Sequence, residues 1–191
     1  SVADEEAFLT VAPSHLHLPL IMALWTGQRQ GDLLALVWQQ YDGARIRLRQ
    51  SKTGARVTIP VGGPLKSRLD MIRQREGRIL LNSFGEEWSP DGFRASWRKA
   101  CRAAGVLGLT FNDLRGTAVT RLALAQCTEA EIATITGHTL RDVRSILDAH
   151  YLHRDPALAE SAIRKLETGT KIPDRAPDRP DMFHNEDGKK S

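Results

Sequence analysis

Apolar residues recur along this chain with two periods. Within residues 44–60 the period is two: Ile46 and Leu48 sit between Arg45, Arg47 and Arg49, and Val57 and Ile59 between Arg56, Thr58 and Pro60. Such alternation predicts two strands, each with one buried and one wet face. The run Ser51-Lys52-Thr53-Gly54 between them reads as a turn, giving a β-hairpin with Lys52 at or near its tip. Arginines 45, 47 and 49 then form a basic stripe on its outer face. Residues 78–82 predict a third short strand.

Elsewhere the spacing is three to four. Phe93, Trp97, Ala100, Cys101 and Ala104 make one helical stripe, introduced by Ser89-Pro90 and closed by Gly105. Further helices are predicted within 1–14, where Asp4-Glu5-Glu6 marks an N-terminus, and at 15–25, ended by Thr26-Gly27. Asp32 starts a short helix at 33–36, and another spans 63–76. One opens at Thr110 and runs through Leu124, and Thr128 with Glu131 makes a capping box for 129–136. After Gly137 and His138, Thr139 and Asp142 begin a helix whose Leu140, Val143 and Leu147 share one face with Tyr151. A last amphipathic helix covers 155–166. The expected fold is mainly α with a small antiparallel β-sheet (α+β). Residues 1–169 read as one domain, and the polar residues 170–191 as a disordered tail.

Composition narrows the class. A hydrophobic fraction of 41% with 26% charged residues fits a globular protein, and no apolar run reaches the roughly 20 residues of a membrane span. Cys101 and Cys127 lack metal-ligand spacing and read as reduced thiols of a cytosolic protein. The net charge of +4 hides an asymmetry: residues 45–121 carry 16 Lys or Arg against 6 Asp or Glu, while the flanks are mildly acidic. A basic middle points to a polyanion, most often nucleic acid.

Five residues stand out for chemistry. Arg29 sits at a polar corner between apolar segments, Lys52 in the hairpin turn, Arg115 near a helix start, His138 after a glycine, and Tyr151 at a helix end. Taken alone, Tyr151 reads first as an ordinary half-buried core tyrosine, and only partners elsewhere in the chain make it a nucleophile. Their order and surroundings resemble the catalytic domain of the tyrosine recombinases, the phage integrase family. The resemblance rests on residues 26–36 (Thr-Gly-Gln-Arg-Gln-Gly-Asp-Leu-Leu-Ala-Leu), 51–54 (Ser-Lys-Thr-Gly), 112–117 (Asn-Asp-Leu-Arg-Gly-Thr), 136–138 (Thr-Gly-His) and 149–153 (Ala-His-Tyr-Leu-His). It covers residues 5–166.

The resemblance implies a site-specific recombinase that cuts and rejoins double-stranded DNA through a covalent 3′-phosphotyrosine, with no metal and no nucleotide cofactor. Tyr151 is then the nucleophile. Arg29 and Arg115 bind the phosphate oxygens, as their paired N–H donors suit. His138 adds a hydrogen bond, and Lys52 protonates the leaving 5′ oxygen. A homo-oligomer on DNA, a tetramer joined through residues after Tyr151, and a cytoplasmic, nucleoid-associated location follow from the same likeness. The helix at 155–166 equally suits packing on its own domain. His150 and His153 read as surface or DNA-contacting residues.

One position departs from the family. Three residues before the second arginine the family has histidine, sometimes lysine; here it is Asn112. Asparagine can hydrogen-bond a phosphate but cannot carry a proton near pH 7, and it also suits a helix N-cap. Family members usually carry a separate N-terminal DNA-binding domain, whereas this sequence starts almost directly at the catalytic domain, as a fragment, a truncated gene or a minimal enzyme would, and weaker, less selective DNA binding is expected of it. Gly116, mid-helix, offers room for a close approach. The rival readings are a catalytically impaired remnant that only binds DNA, and a nicking and relaxing activity of topoisomerase type.

Overall fold

The first helix forms as its acidic turn predicts. The Ser1 hydroxyl accepts from the Asp4 N–H at 3.2 Å and donates to the Asp4 carboxylate at 2.8 Å, capping α1 (Val2–Val11). The computed structural model describes residues 1–72, 76–150 and 156–169. The chain divides into two units after His153. The first holds α1, α2 (His17–Thr26), α3 (Gln30–Leu34), strands β1 (Arg45–Arg49) and β2 (Arg56–Pro60), α4 (Gly63–Asp70), α5 (Pro90–Ala103), α6 (Asp113–Leu124), α7 (Glu129–Thr136) and α8 (Leu140–His150). The second holds α9 (Pro156–Gly169). Tyr151, His153 and the tail 170–191 lie outside the described residues, as do contacts of the His150 side chain.

The fold is mainly α with one two-stranded antiparallel sheet, as expected. Arg45 faces Pro60 and Arg49 faces Arg56, so Ile46, Leu48, Val57 and Ile59 all point inward and are buried. The arginine stripe is therefore real. Arg49 and Arg56 stand directly opposite each other, a like-charge pairing that weakens an isolated hairpin.

The hairpin's inner face joins a core built from α1, α2, α4 and α5. At its centre Phe93 is fully buried, edge-on to Phe111 at 4.9 Å, while Trp97 meets Phe111 at 4.8 Å and Phe8 at 4.5 Å. Each such buried side chain contributes on the order of 2–3 kcal/mol. A second cluster, Val119, Ala123, Ile132, Val143 and Leu147, holds α6, α7 and α8 together. α6 packs on α2 as well as on α7 and α8, which makes it the bridge between the two cores.

Several boundaries differ from expectation. No third strand forms at 78–82: Arg78 bridges only to Val37 and Leu81 only to Glu87, because each partner offers a single residue in register. α4 stops at Asp70, short of Glu76. α2 begins at His17, after a 3-10 turn at Ser14–Leu16, and α6 begins at Asp113, with the Thr110 N–H and hydroxyl both donating to the Asp113 carboxylate. Asp32 does not start a helix; it lies inside the first turn of α3, whose cap is Arg29. Leu140 is exposed, so the buried stripe of α8 starts at Val143. The cap predictions at Ser89, Thr128 and Thr139 hold. Among the described residues no helix is long and apolar enough to cross a membrane.

Candidate active site

Two helices end on glycines in the left-handed conformation, and each end delivers a charged or titratable residue to the same place. α2 closes at Gly27 (φ 63°) and α7 at Gly137 (φ 66°). Arg29 follows the first by two residues and His138 the second by one. Both turns also require glycine for space. A Cβ on Gly27 would lie 2.7 Å from Thr136 Cγ2, and one on Gly137 would lie 2.4 Å from Gln50 Nε2.

Helix ends leave carbonyls without partners, and Arg115 uses two of them. From the first turn of α6 its Nη1 donates to Gly27 O and, at 2.9 Å, to Thr136 O. Arg115 is 8% exposed, and its Nη2 is buried with no hydrogen-bond partner among the described residues. Burial first, and then the charge of Arg29, lower its pKa to about 10. It stays cationic at neutral pH. Arg29 is half-buried, and its Nη1 donates to Gln50 Oε1 at 3.2 Å. Among the described residues neither arginine forms an ion pair with a carboxylate.

His138 is half-buried, with Nδ1 2.8 Å from Thr136 Oγ1. The Thr136 hydroxyl donates its own hydrogen to Ile132 O at 2.7 Å, so it accepts from His138 and fixes the proton on Nδ1. Nε2 then carries the lone pair. Burial first, and then the charge of Arg115, push the imidazole pKa down to about 4, against a smaller opposing pull from Asp142. His138 is therefore neutral at pH 7 and presents an acceptor.

Arg29, Arg115 and His138 are thus brought together through shared partners. Lys52 is exposed at the hairpin turn, and its neighbours are anchored on both sides: the Ser51 N–H donates to Asp32 Oδ1 at 2.7 Å, and the Thr53 hydroxyl donates to Gln50 Oε1 at 2.9 Å. Asn112 occupies the N-cap position of α6, but its side chain makes no capping hydrogen bond. It is exposed and lines a cleft of about 190 Å³ together with Gln30, Arg94 and Arg98. The N-cap role open to it in the sequence is not taken up. Gly116 has open space on its Cβ side, so its lack of a side chain answers no contact within the chain.

Four buried residues were given no part in the site by the sequence: Gln28, Asp32, Gln50 and Thr136. Gln50 carried a visible signal. It continues the inward positions 46 and 48, so a polar residue was placed where the strand pattern calls for an apolar one. Among the described residues no three His, Cys, Asp or Glu side chains gather as a possible metal site.

Comparison with known proteins gives one consistent direction. The profile of the phage integrase family matches residues 5–157. The shufflon-specific DNA recombinase of Escherichia coli is 30% identical over 126 residues, covering 64% of this chain and 32% of that protein. The lambda integrase catalytic core shares the fold with a TM-score of 0.61 at 26% identity, over 72% of this chain and 86% of that one. A lambda integrase dimer bound to a COC′ core site gives 0.67 at 26% identity, over 80% and 60%. The chain spans about a third of the length of the recombinase it matches.

Proposed function

We propose that this chain, which belongs to the phage integrase family, holds one phosphate of double-stranded DNA on Arg29, Arg115 and His138 and transfers it to Tyr151. The observation that carries this reading is that the Arg29 and Arg115 guanidinium groups, whose charges act on each other, form no ion pair with a carboxylate among the described residues. Burial first, and then the charge of Arg29, hold the Arg115 pKa down at about 10, so its charge is kept at a cost. A bound anion returns that cost, and the return is largest when its negative charge is largest. A pentavalent phosphoryl transition state has more charge on its non-bridging oxygens than the diester that precedes it, so the pair favours the transition state.

The remaining steps follow the family's pattern. A free phenol with a pKa of about 10 is a poor nucleophile at neutral pH, and neighbouring cations favour its phenolate. The Tyr151 proton passes to solvent, the phenolate oxygen bonds to phosphorus, and the bond to the 5′ oxygen breaks. Lys52 gives that oxygen a proton. The phosphotyrosine retains the energy of the diester, and attack by a new 5′-hydroxyl reverses the step and seals the strand. His138 must take up a proton to donate from Nε2, and the phosphate's charge favours that uptake. Asn112, exposed beside Arg94 and Arg98, supplies a neutral N–H donor to a DNA phosphate, without proton transfer. Exchange between two duplexes needs several such sites at once, which fits a homo-tetramer on DNA joined through residues after Tyr151.

The test uses supercoiled plasmid DNA with EDTA present. The chain is expected to relax it and, on quenching with detergent, to leave protein covalently bound to DNA; Arg115→Ala does neither. DNA binding by the wild-type chain in a gel shift, without adduct or relaxation, supports the DNA-binding reading instead.

A further inference from the structure

We infer that the Gln50 carboxamide is a positioning residue that sets Arg29 and the Lys52 turn from a single oxygen atom. The inference rests on the strand-transfer reading above. Gln50 is 0% exposed, and every hydrogen-bonding position of its amide is filled. Its Nε2 donates to Gln28 Oε1 at 2.6 Å and to Thr136 O at 2.9 Å. Its Oε1 accepts from Arg29 Nη1 at 3.2 Å and from the Thr53 hydroxyl at 2.9 Å.

The direction of this amide is dictated from outside. Gln28 Nε2 faces two carbonyls, Thr26 O at 2.9 Å and Ile135 O at 3.0 Å, so it must donate to both, and Gln28 Oε1 must accept from Gln50. Gln50 therefore turns its NH₂ toward Gln28 and its oxygen toward Arg29 and Thr53. A flipped amide would set acceptors against acceptors at Gln28 Oε1 and Thr136 O and a donor against a donor at Arg29, leaving only the Thr53 hydroxyl, which can also accept, matched. Buried groups left unmatched in that way are costly.

Two consequences follow. The oxygen is neutral, so it orients Arg29 without cancelling the charge a phosphate needs; a carboxylate there would pair with Arg29 and compete with the phosphate. The same oxygen also holds Thr53. With Asp32 on the Ser51 N–H, it pins the turn on both sides of Lys52, whose own side chain is exposed and makes no hydrogen bond among the described residues. Gln50 thus links the residue that binds the phosphate to the residue that protonates the leaving group.

The link predicts different failures for two variants. Thr53 is exposed, so Thr53→Val loosens only the Lys52 turn. Gln50→Glu keeps the shape of the side chain but neutralises Arg29. Both are assayed for covalent adduct on a nicked duplex carrying the sequence at which the wild-type chain attaches to plasmid DNA. A second duplex has sulfur in place of the bridging 5′ oxygen. A thiol with a pKa of about 8.5 leaves as thiolate and needs no proton from Lys52. Thr53→Val is expected to be about tenfold slower than wild type on oxygen and within about twofold of it on sulfur. Gln50→Glu is expected to be about 100-fold slower on both. Thr53→Val at the wild-type rate on oxygen, or equally slow on both duplexes, overturns the inference, as does a folded Gln50→Glu at the wild-type rate. If Gln50→Glu shows no cooperative thermal transition, Thr53→Val alone decides. A wild-type chain that forms no adduct overturns the strand-transfer reading, and this inference falls with it; a wild-type adduct with unaffected variants overturns the inference alone.

Discussion

Replacing Gly137 by alanine tests the packing on which the site depends. The position has φ 66°, where an L residue costs about 1 kcal/mol more than glycine. The added Cβ would also stand 2.4 Å from Gln50 Nε2 and 2.7 Å from its Cδ, closer than any relaxed contact. The amide must move, and its partners Gln28 Oε1 and Thr136 O lie in buried surroundings. Leaving one such group unsatisfied costs about 1–3 kcal/mol. The sum is about 3 kcal/mol, which lowers the melting temperature by about 6–12 °C for a domain of this size. Gly105→Ala is the matched control: its φ is 72°, but nothing lies within 4 Å of the new Cβ, so only the backbone cost of about 1 kcal/mol, or 2–4 °C, applies. Thermal unfolding followed by circular dichroism reads both. Equal shifts for the two variants would refute the claim that Gly137 closes onto the Gln50 amide.

Three further outcomes are expected. Arg115→Lys places one ammonium where a planar fork serves Gly27 O and Thr136 O and, on the proposed function, a phosphate, so adduct formation should fall at least about 100-fold; a loss under about tenfold contradicts the role. His138 has a native pKa of about 4 against 6.5 unfolded, so the unfolded chain binds the extra proton between those values and stability falls as pH drops through that window. Chemical denaturation of the wild type and His138→Gln should diverge by about 1–2 kcal/mol between pH 6.5 and pH 4, the shift being discounted for the partial exposure of the imidazole, and parallel curves would remove the imidazole from the account. Asn112→Ala should leave the melting temperature within about 2 °C, since surface changes without a partner stay near ±0.5 kcal/mol; a larger drop would restore Asn112 as a cap.

The site was legible in the sequence through the order and surroundings of its residues: Arg29 at a polar corner, Lys52 in a turn and His138 after a glycine are each weak signals alone. The caps at Ser89, Thr128 and Thr139 follow from local hydrogen bonding alone. What stayed hidden depends on contacts between segments far apart in the chain. Gln28 meets Ile135 across 107 positions, and Gln50 meets Thr136 across 86, so no window of sequence contains both members of either pair. Asp32 looked like a helix start because aspartate caps helices, yet its carboxylate serves the hairpin backbone. The strand expected at 78–82 failed for the same reason: its pattern was adequate, but the neighbouring segments give it single-residue bridges only.

The central claim is that the cationic cluster serves attack by Tyr151 on a DNA phosphate, and the most direct measurement is the site of covalent attachment. Adduct formed on plasmid DNA is digested with nuclease and trypsin, and the peptide spanning residues 145–154, released at Arg144 and Arg154, is sequenced by mass spectrometry. The account predicts a nucleotide remnant on Tyr151 and no adduct from Tyr151→Phe. A remnant on any other residue, or adduct persisting in Tyr151→Phe, would contradict it.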